Sequence, residues 1–370
     1  MFVESFLNLR INVKWRICVN KKNMELNKTM KTTALLDKKV FDLKEGYPIG
    51  LADGKMGLCI YYYYIGRIFN NTDYKQNAEL LIDEVFEQIK MTKGLDIKNG
   101  LSGIGMGIDH LIDNEYVEGD SNDILTDVDN ELFKQICNLD KLKDDDLFPH
   151  LQLIYYFTVR LKKQKKNSEN EQLFKEVIIN TINYISDKIY RNFTDEPVSF
   201  NIENPSIQSL FVLGQCHELH KDKIYKILKE ISLYTLSKMP ILHANRLYLL
   251  YTMDNLNKKI EQKGWSEHIK LLLQASDIEY IIESELSDEI YFSNGLPAIY
   301  FLLSNLGRYY TSDQIHKYNN LIINKIENHP AWNKLLNDED YLKHYSGLFS
   351  GYTGTSLLLH KHYKNENRLN

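Results

Sequence analysis

Cysteine is scarce in this 370-residue chain, and no pair of cysteines forms a CxxC motif; the four residues, Cys18, Cys59, Cys137 and Cys216, are widely separated. That spacing argues against a disulfide framework and fits a reducing compartment, so a cytoplasmic location is expected. No uninterrupted apolar run approaches the roughly 20 residues that a membrane span requires, so no membrane span is expected. Charge of one sign is not in large excess: the formal net charge is −5, which gives no reason to expect nucleic-acid binding. No glycine-rich phosphate loop follows a strand, because little of the sequence reads as strand. The first two dozen residues are mildly basic but lack a long apolar stretch and a small-residue cleavage site, so they do not read as a signal peptide. Residues 1–30 are expected to form a poorly ordered N-terminal extension, with Met24 and Met30 as alternative starts.

What the chain does have is a repeat. Four times a glycine is followed three positions later by glycine or alanine where an apolar helix begins: GKMGL at 54–58, GLSGI at 100–104, GLPAI at 295–299 and GYTGT at 351–355. Their spacing corresponds to a period of about 50 residues, the mark of a repeating helix pair. The three slots without a glycine pair carry Pro149, Pro205 and Pro240 at expected helix starts.

Two kinds of helix alternate. Stretches 56–69, 104–112, 151–161, 207–219, 247–256, 299–306 and 355–363 are apolar on most sides and read as buried between other helices. Stretches 74–91, 124–139, 171–193, 222–238, 266–286 and 312–328 carry one apolar stripe and one charged face, with a seventh between 24 and 43. Asp73, Ser266 and Ser312 sit where N-caps belong. With 43% hydrophobic residues, the pattern predicts an all-α chain: an (α/α) toroid of about seven helical hairpins over residues 31–370, in one domain. The apolar helices form its inner ring and the amphipathic ones its outer ring. The helix-start glycines are expected to let the inner helices converge at one end of the ring. The 25 tyrosines, Tyr61 to Tyr64 among them, are expected to fill a wide core with hydroxyls reaching its rim.

The motifs GLADGKMGL (50–58), NGLSGIGMGIDHL (99–111), YVEGD (116–120), FSNGLPAI (292–299) and YSGLFSGYTG (345–354) resemble those of the lanthionine synthetase C-like proteins, over roughly residues 45–365. The resemblance implies a seven-hairpin (α/α) toroid and a place in bacterial lanthipeptide-type peptide modification, with a precursor peptide or other modification enzymes as partners. In active relatives, zinc held by a cysteine at the fifth inner-helix start and a Cys-His pair at the sixth activates a thiol for addition to a dehydroamino acid. In this chain Leu242 stands at the fifth start, and Ser293 and Asn294 at the sixth. Serine and asparagine are poor zinc ligands, so the expectation is no metal, no cofactor and a cyclase-inactive, peptide-binding or partner-docking protein. The alternatives are an active thioether-forming cyclase and, more distantly, an α/α-toroid enzyme acting on carbohydrate. The last requires two facing carboxylates, for which Asp53 and Glu203 are the nearest candidates.

Polar residues at the expected helix starts would face one polar cup and are the candidate peptide-binding set: Asp53, Lys55, Asn99, Asn245, Arg246, Ser293, Asn294 and Ser346. N-capping is the bland reading of most of them. His243 and His344 are candidate acids or bases. Cys216-His217 with His220 is the only cysteine–histidine cluster, but it falls at a helix end rather than a start. Asp109 and His110 are adjacent on a helix and so point in different directions. DVDN at 127–130 is similar to the acidic motif of class II terpene cyclases but lacks its last aspartate.

Overall fold

Within residues 28–136 and 147–369, which the computed structural model describes, the backbone is helical, with no strand. Cys18, Cys137, the acidic run at 144–146 and most of the expected N-terminal extension lie outside them. In chain order the helices are α1 (Lys28–Asp42), α2 (Lys55–Phe69), α3 (Thr72–Gln88), α4 (Leu101–Asp113), α5 (Ser121–Ile124), α6 (Thr126–Ile136), α7 (Phe148–Leu161), α8 (Glu169–Asp195) and α9 (Pro205–Cys216). They continue as α10 (Lys221–Ser237), α11 (His243–Asn257), α12 (Trp265–Gln274), α13 (Ile278–Tyr280), α14 (Leu296–Asn305), α15 (Ser312–Glu327), α16 (Ala331–Asn337), α17 (Glu339–His344) and α18 (Tyr352–Leu369).

The alternation of helix types holds. Helices α2, α4, α7, α9, α11 and α14 bury nearly every residue, whereas α8 buries only a stripe that includes Phe174, Val177, Ile178, Thr181, Ile182 and Ile185. That three- and four-residue spacing is one face of a helix. Helix α2 packs on α4, α4 on α7, α7 on α9, α9 on α11, α11 on α14 and α14 on α18, and α18 also packs on α2. The amphipathic helices α3, α8, α12 and α15 each pack on the buried helix preceding them in sequence. The expected outer helix over 266–286 is broken: α12 stops at Gln274, and Asp277 caps a new short turn by accepting the Tyr280 N–H. Capping also shifts from the expected residues. Asn71 and Thr311 cap α3 and α15, the latter with a reciprocal bond to Gln314, while Asp73 and Ser312 lie in the first turns.

The glycine pairs serve a different contact from the expected one. Gly103 presses against the carbonyl oxygen of Ile97 in its own preceding loop, so that a Cβ there would sit 1.9 Å from that oxygen. Gly57 and Gly354 meet Leu51 and Leu348 in the same way, each six residues back, at 2.2 and 2.0 Å. The first residue of the helix then donates its N–H to the carbonyl seven residues back: Lys55 to Pro48, Leu101 to Gly94, Leu296 to Glu289 and Tyr352 to Tyr345, each at 2.8 Å. Each loop therefore folds flat against its own helix start. Close approach between helices falls instead to Gly105, against the Tyr156 ring, and Gly107, against Met56.

Tyr61 and Tyr62 also differ from expectation, because their hydroxyls turn inward. Asp37 of α1 is buried and accepts hydrogen bonds from Tyr61 (2.8 Å), Tyr74 (2.9 Å) and Tyr352 (3.1 Å), while Tyr62 donates to its backbone carbonyl at 2.6 Å. One carboxylate thus joins α1, α2, α3 and α18. Burial raises its pKa to about 6, against the opposing effect of the three hydroxyls. A second buried centre joins α4, α6 and α7. Arg160 donates to Asp129, which also accepts from Tyr156 at 2.6 Å, and lies 3.6 Å from Asp109. Asp129 of the DVDN stretch is thereby a structural anion.

Gly103→Ala is expected to destabilise the fold by about 1–3 kcal/mol or more, because a backbone oxygen must move. Gly307→Ala, with open space around the new methyl, is expected to range from neutral to about 1 kcal/mol more stable; urea denaturation of both checks the contrast. Asp37 has a folded pKa above its unfolded value, so folding takes up a proton between about pH 4 and 6. Its contribution to stability is greatest below that window and declines as pH rises through about 6. Asp37→Asn is expected to remove that slope. The wild-type-minus-variant unfolding free energy should change by about 2 kcal/mol between pH 4 and 7, read by chemical denaturation across pH.

Candidate functional site

The folded-back loops meet their neighbours in a fixed register. In four of them the residue two places before the helix-start glycine is Ala52, Lys98, Ser293 or Phe349, and in the loop before α9 the same offset from the cap Asn204 is Ile202. These five are joined by backbone hydrogen bonds. Ala52 donates to Lys98 (3.0 Å), Phe349 to Ala52 (3.0 Å), Ser293 to Phe349 (2.9 Å) and Ile202 to Ser293 (3.3 Å). The loop before α11 is bypassed, which leaves Ile241 and Leu242 exposed.

Inside this ladder lies a cavity with about 560 Å³ of empty space, part of it open solvent. Ala52, Lys98, Ile202 and Phe349 of the ladder line it. Leu151, Gln152 and Tyr155 of α7 and Gln208 and Val212 of α9 complete the wall, on positions one helical turn apart. The lining is mainly apolar, with an ionic rim: the Lys98 ammonium lies 3.5 Å from Asp53 and 3.9 Å from Glu203. Asp53 also accepts the Ser350 N–H at 3.1 Å, which places its carboxylate between two loops.

The sequence candidates divide. Asp53 and Glu203 reach the site, and Ser293 contributes its backbone to the ladder. Asn99 is exposed beside it, its N–H bonded to Asp96 at 2.6 Å. Asn294 is exposed and accepts from the Ser293 hydroxyl at 3.0 Å. Lys55 is buried and ion-paired with Glu84 at 2.7 Å, away from the rim. Ser346 is buried and donates to Lys343. Asn245 anchors the loop before α9 by accepting the Phe200 N–H at 2.7 Å. Among the described residues Arg246 pairs with no carboxylate, and it donates to the carbonyls of Pro240, Ile241 and Ala275. The Nδ1 of His243 accepts the Asp277 N–H at 2.8 Å, which commits that nitrogen, and its ring packs on Tyr280. His344 is exposed at the end of α17, edge-on to Tyr345.

The positions where the resemblance implies zinc ligands do not suit zinc. Leu242 is an exposed alkyl group, and the Ser293 hydroxyl is bonded to its neighbour Asn294. Cys216 does not substitute for them. Its thiol is buried and donates to Val212 at 3.0 Å, and burial raises its pKa to about 12. His217 turns to Glu218 at 2.7 Å. Among the described residues no three His, Cys, Asp or Glu side chains gather as a metal-binding group, and no helix is long and apolar enough to cross a membrane.

Sequence reasoning missed Lys98, Gln152 and Gln208. Lys98 was legible in principle, since it holds the same offset from Gly100 that Ala52 holds from Gly54. The glutamines carried no motif; they share a wall only because α7 packs on α9. No known family profile matches the chain, and no curated protein matches it.

Lys98→Met is expected to change unfolding free energy by less than about 1 kcal/mol, because its ion pairs are partly exposed. Asp53→Ala also strips the Ser350 N–H of its acceptor and is expected to cost about 1–3 kcal/mol. Thermal and urea unfolding of the two variants compare these effects.

Proposed function

We propose that this chain is a divergent lanthionine synthetase C-like protein that binds peptide at its helix-start end and works without the zinc of active relatives. In this reading the closed packing of α2, α4, α7, α9, α11, α14 and α18 is the inner ring of an (α/α) toroid of about seven hairpins. The observation that carries the reading is the ladder of loops around an apolar cavity with a mixed-charge rim. Such a cavity suits a peptide segment with one apolar side chain inserted and its backbone at the rim. The role is to hold a precursor peptide, or to dock another modification enzyme, in a cytoplasmic lanthipeptide-type pathway. A side chain such as Leu242 at a ligand position fits binding retained where metal-assisted thiol addition is lost.

Glycoside hydrolysis is the second reading, because Asp53 and Glu203 do reach one rim. The Lys98 ammonium, however, lies within 4 Å of both carboxylates, in the space that a sugar ring would have to occupy between them.

Display selection of random short peptides on the purified protein, with zinc measured by elemental analysis, tests the proposal. Enriched peptides are expected to carry an apolar anchor and to lose binding at least tenfold to a folded Val212→Trp variant, which fills the cavity. Zinc is expected to be substoichiometric. One zinc per chain, thioether formation in a peptide bearing cysteine and dehydroalanine, or selected peptides indifferent to Val212→Trp would overturn the reading.

A further inference from the structure

The cavity wall contains two buried carboxamides whose orientations are dictated by their protein partners. Gln152 and Gln208 are each 8% exposed. The backbone N–H of Ile97 donates to Gln152 at 3.3 Å, and only an oxygen can receive it, so Oε1 is committed and Nε2 is left. The carbonyl of Ile202 accepts from Gln208, so Nε2 is committed there, reaching the Tyr248 hydroxyl at 3.3 Å as well, and Oε1 is left. Among the described residues no hydrogen bond is found for the Gln152 Nε2 or the Gln208 Oε1; neither atom is sealed from solvent, and both side chains line the cavity. Adjacent helices α7 and α9 thus present one donor and one acceptor to the cavity from a largely apolar wall.

We infer that this pair recognises a peptide amide: an uncharged internal –CO–NH– unit flanked by an apolar side chain. The amide carbonyl accepts from Gln152 Nε2, and the amide N–H donates to Gln208 Oε1. A carboxylate offers acceptors only and leaves Gln208 facing lone pairs; an ammonium offers donors only and leaves Gln152 facing protons. An ester keeps the carbonyl but lacks the N–H. The apolar side chain goes to the wall formed by Leu151 and Val212, so the ligand is an internal segment of a peptide and not its terminus. This rests on the peptide-binding reading above and adds which part of the peptide is read.

The test uses the full chain and three probes with a single carbonyl group, N-methyl-4-methylpentanamide, methyl 4-methylpentanoate and 4-methylpentanoate, with affinity measured by ligand-observed NMR titration. The amide is expected to bind about tenfold or more tightly than either analogue, roughly the worth of one hydrogen bond in a dry site. Gln152→Glu keeps an oxygen for the Ile97 N–H and, ionised at pH 8, turns the cavity-facing donor into a charged acceptor. At that pH it is expected to lower amide affinity at least tenfold and to melt below the wild type, with circular dichroism confirming that it is folded. Gln208→Met is expected to erase the preference for amide over ester. Equal binding of amide and ester by the wild type overturns the inference even if the variants fail to fold, as does an unchanged amide affinity in folded Gln152→Glu. In either case the peptide reading stands if display-selected peptides still bind. If neither those peptides nor the amide binds the wild type, the peptide reading falls and the inference with it.

Discussion

The contact on which the site depends is a glycine pressed against a carbonyl oxygen six residues earlier. At Gly57, Gly103 and Gly354 no side-chain atom separates the helix start from its own loop. The loop therefore lies flat, with its backbone held by the bond from the first helical N–H. A flat loop exposes its edge at a constant height, and the residues two places before the caps meet their counterparts in the next loops. The ladder through Ile202, Ser293, Phe349, Ala52 and Lys98 follows from that constancy, because backbone groups at one height satisfy one another. At these three positions the packing admits no β-carbon, whereas the loop before α14 carries Ala298 at the equivalent place and still joins the ladder through Ser293.

Away from the ladder the molecule uses charge as a fastener. Asp37 collects three tyrosine hydroxyls, and Arg160 collects Asp129 with Asp109 beside it, each tying helices from separate repeats. Both centres are buried and largely satisfied, so they act on register and on pH dependence more than on net stability. At the rim the charges are exposed and cheap to rearrange. Lys98 and Glu203 are partly exposed, whereas Asp53 is also held by the Ser350 N–H.

The candidate residues show how polar groups near helix starts are distributed. Asn245, Arg246, Lys55 and Ser346 were all at or near expected starts, and all are consumed by the scaffold, as loop anchor, carbonyl fork, ion pair and buried hydroxyl donor. Capping and anchoring demands come first at every helix N-terminus, where several N–H groups need acceptors. Among the described residues, what the scaffold leaves without a partner at the cavity is the Nε2 of Gln152 and the Oε1 of Gln208. Leucine, serine and asparagine at 242, 293 and 294 offer neither thiolate nor imidazole.

Helix type was legible in the primary structure because it depends on local periodicity. The apolar runs behind α2, α4, α7 and α9 and the striped runs behind α3 and α8 can be read without knowing any partner. The half-century repeat was equally plain, since it concerns residue identity at a recurring slot. Tertiary structure decided the rest. It chose Asn71 and Thr311 over their neighbours as caps, sent the Tyr61 hydroxyl inward to Asp37, and brought Gln152 of one helix beside Gln208 of another. Those outcomes depend on which surfaces meet across 50 or 300 residues of chain. A hydrogen bond is decided by distances of tenths of an ångström, and no local pattern encodes them.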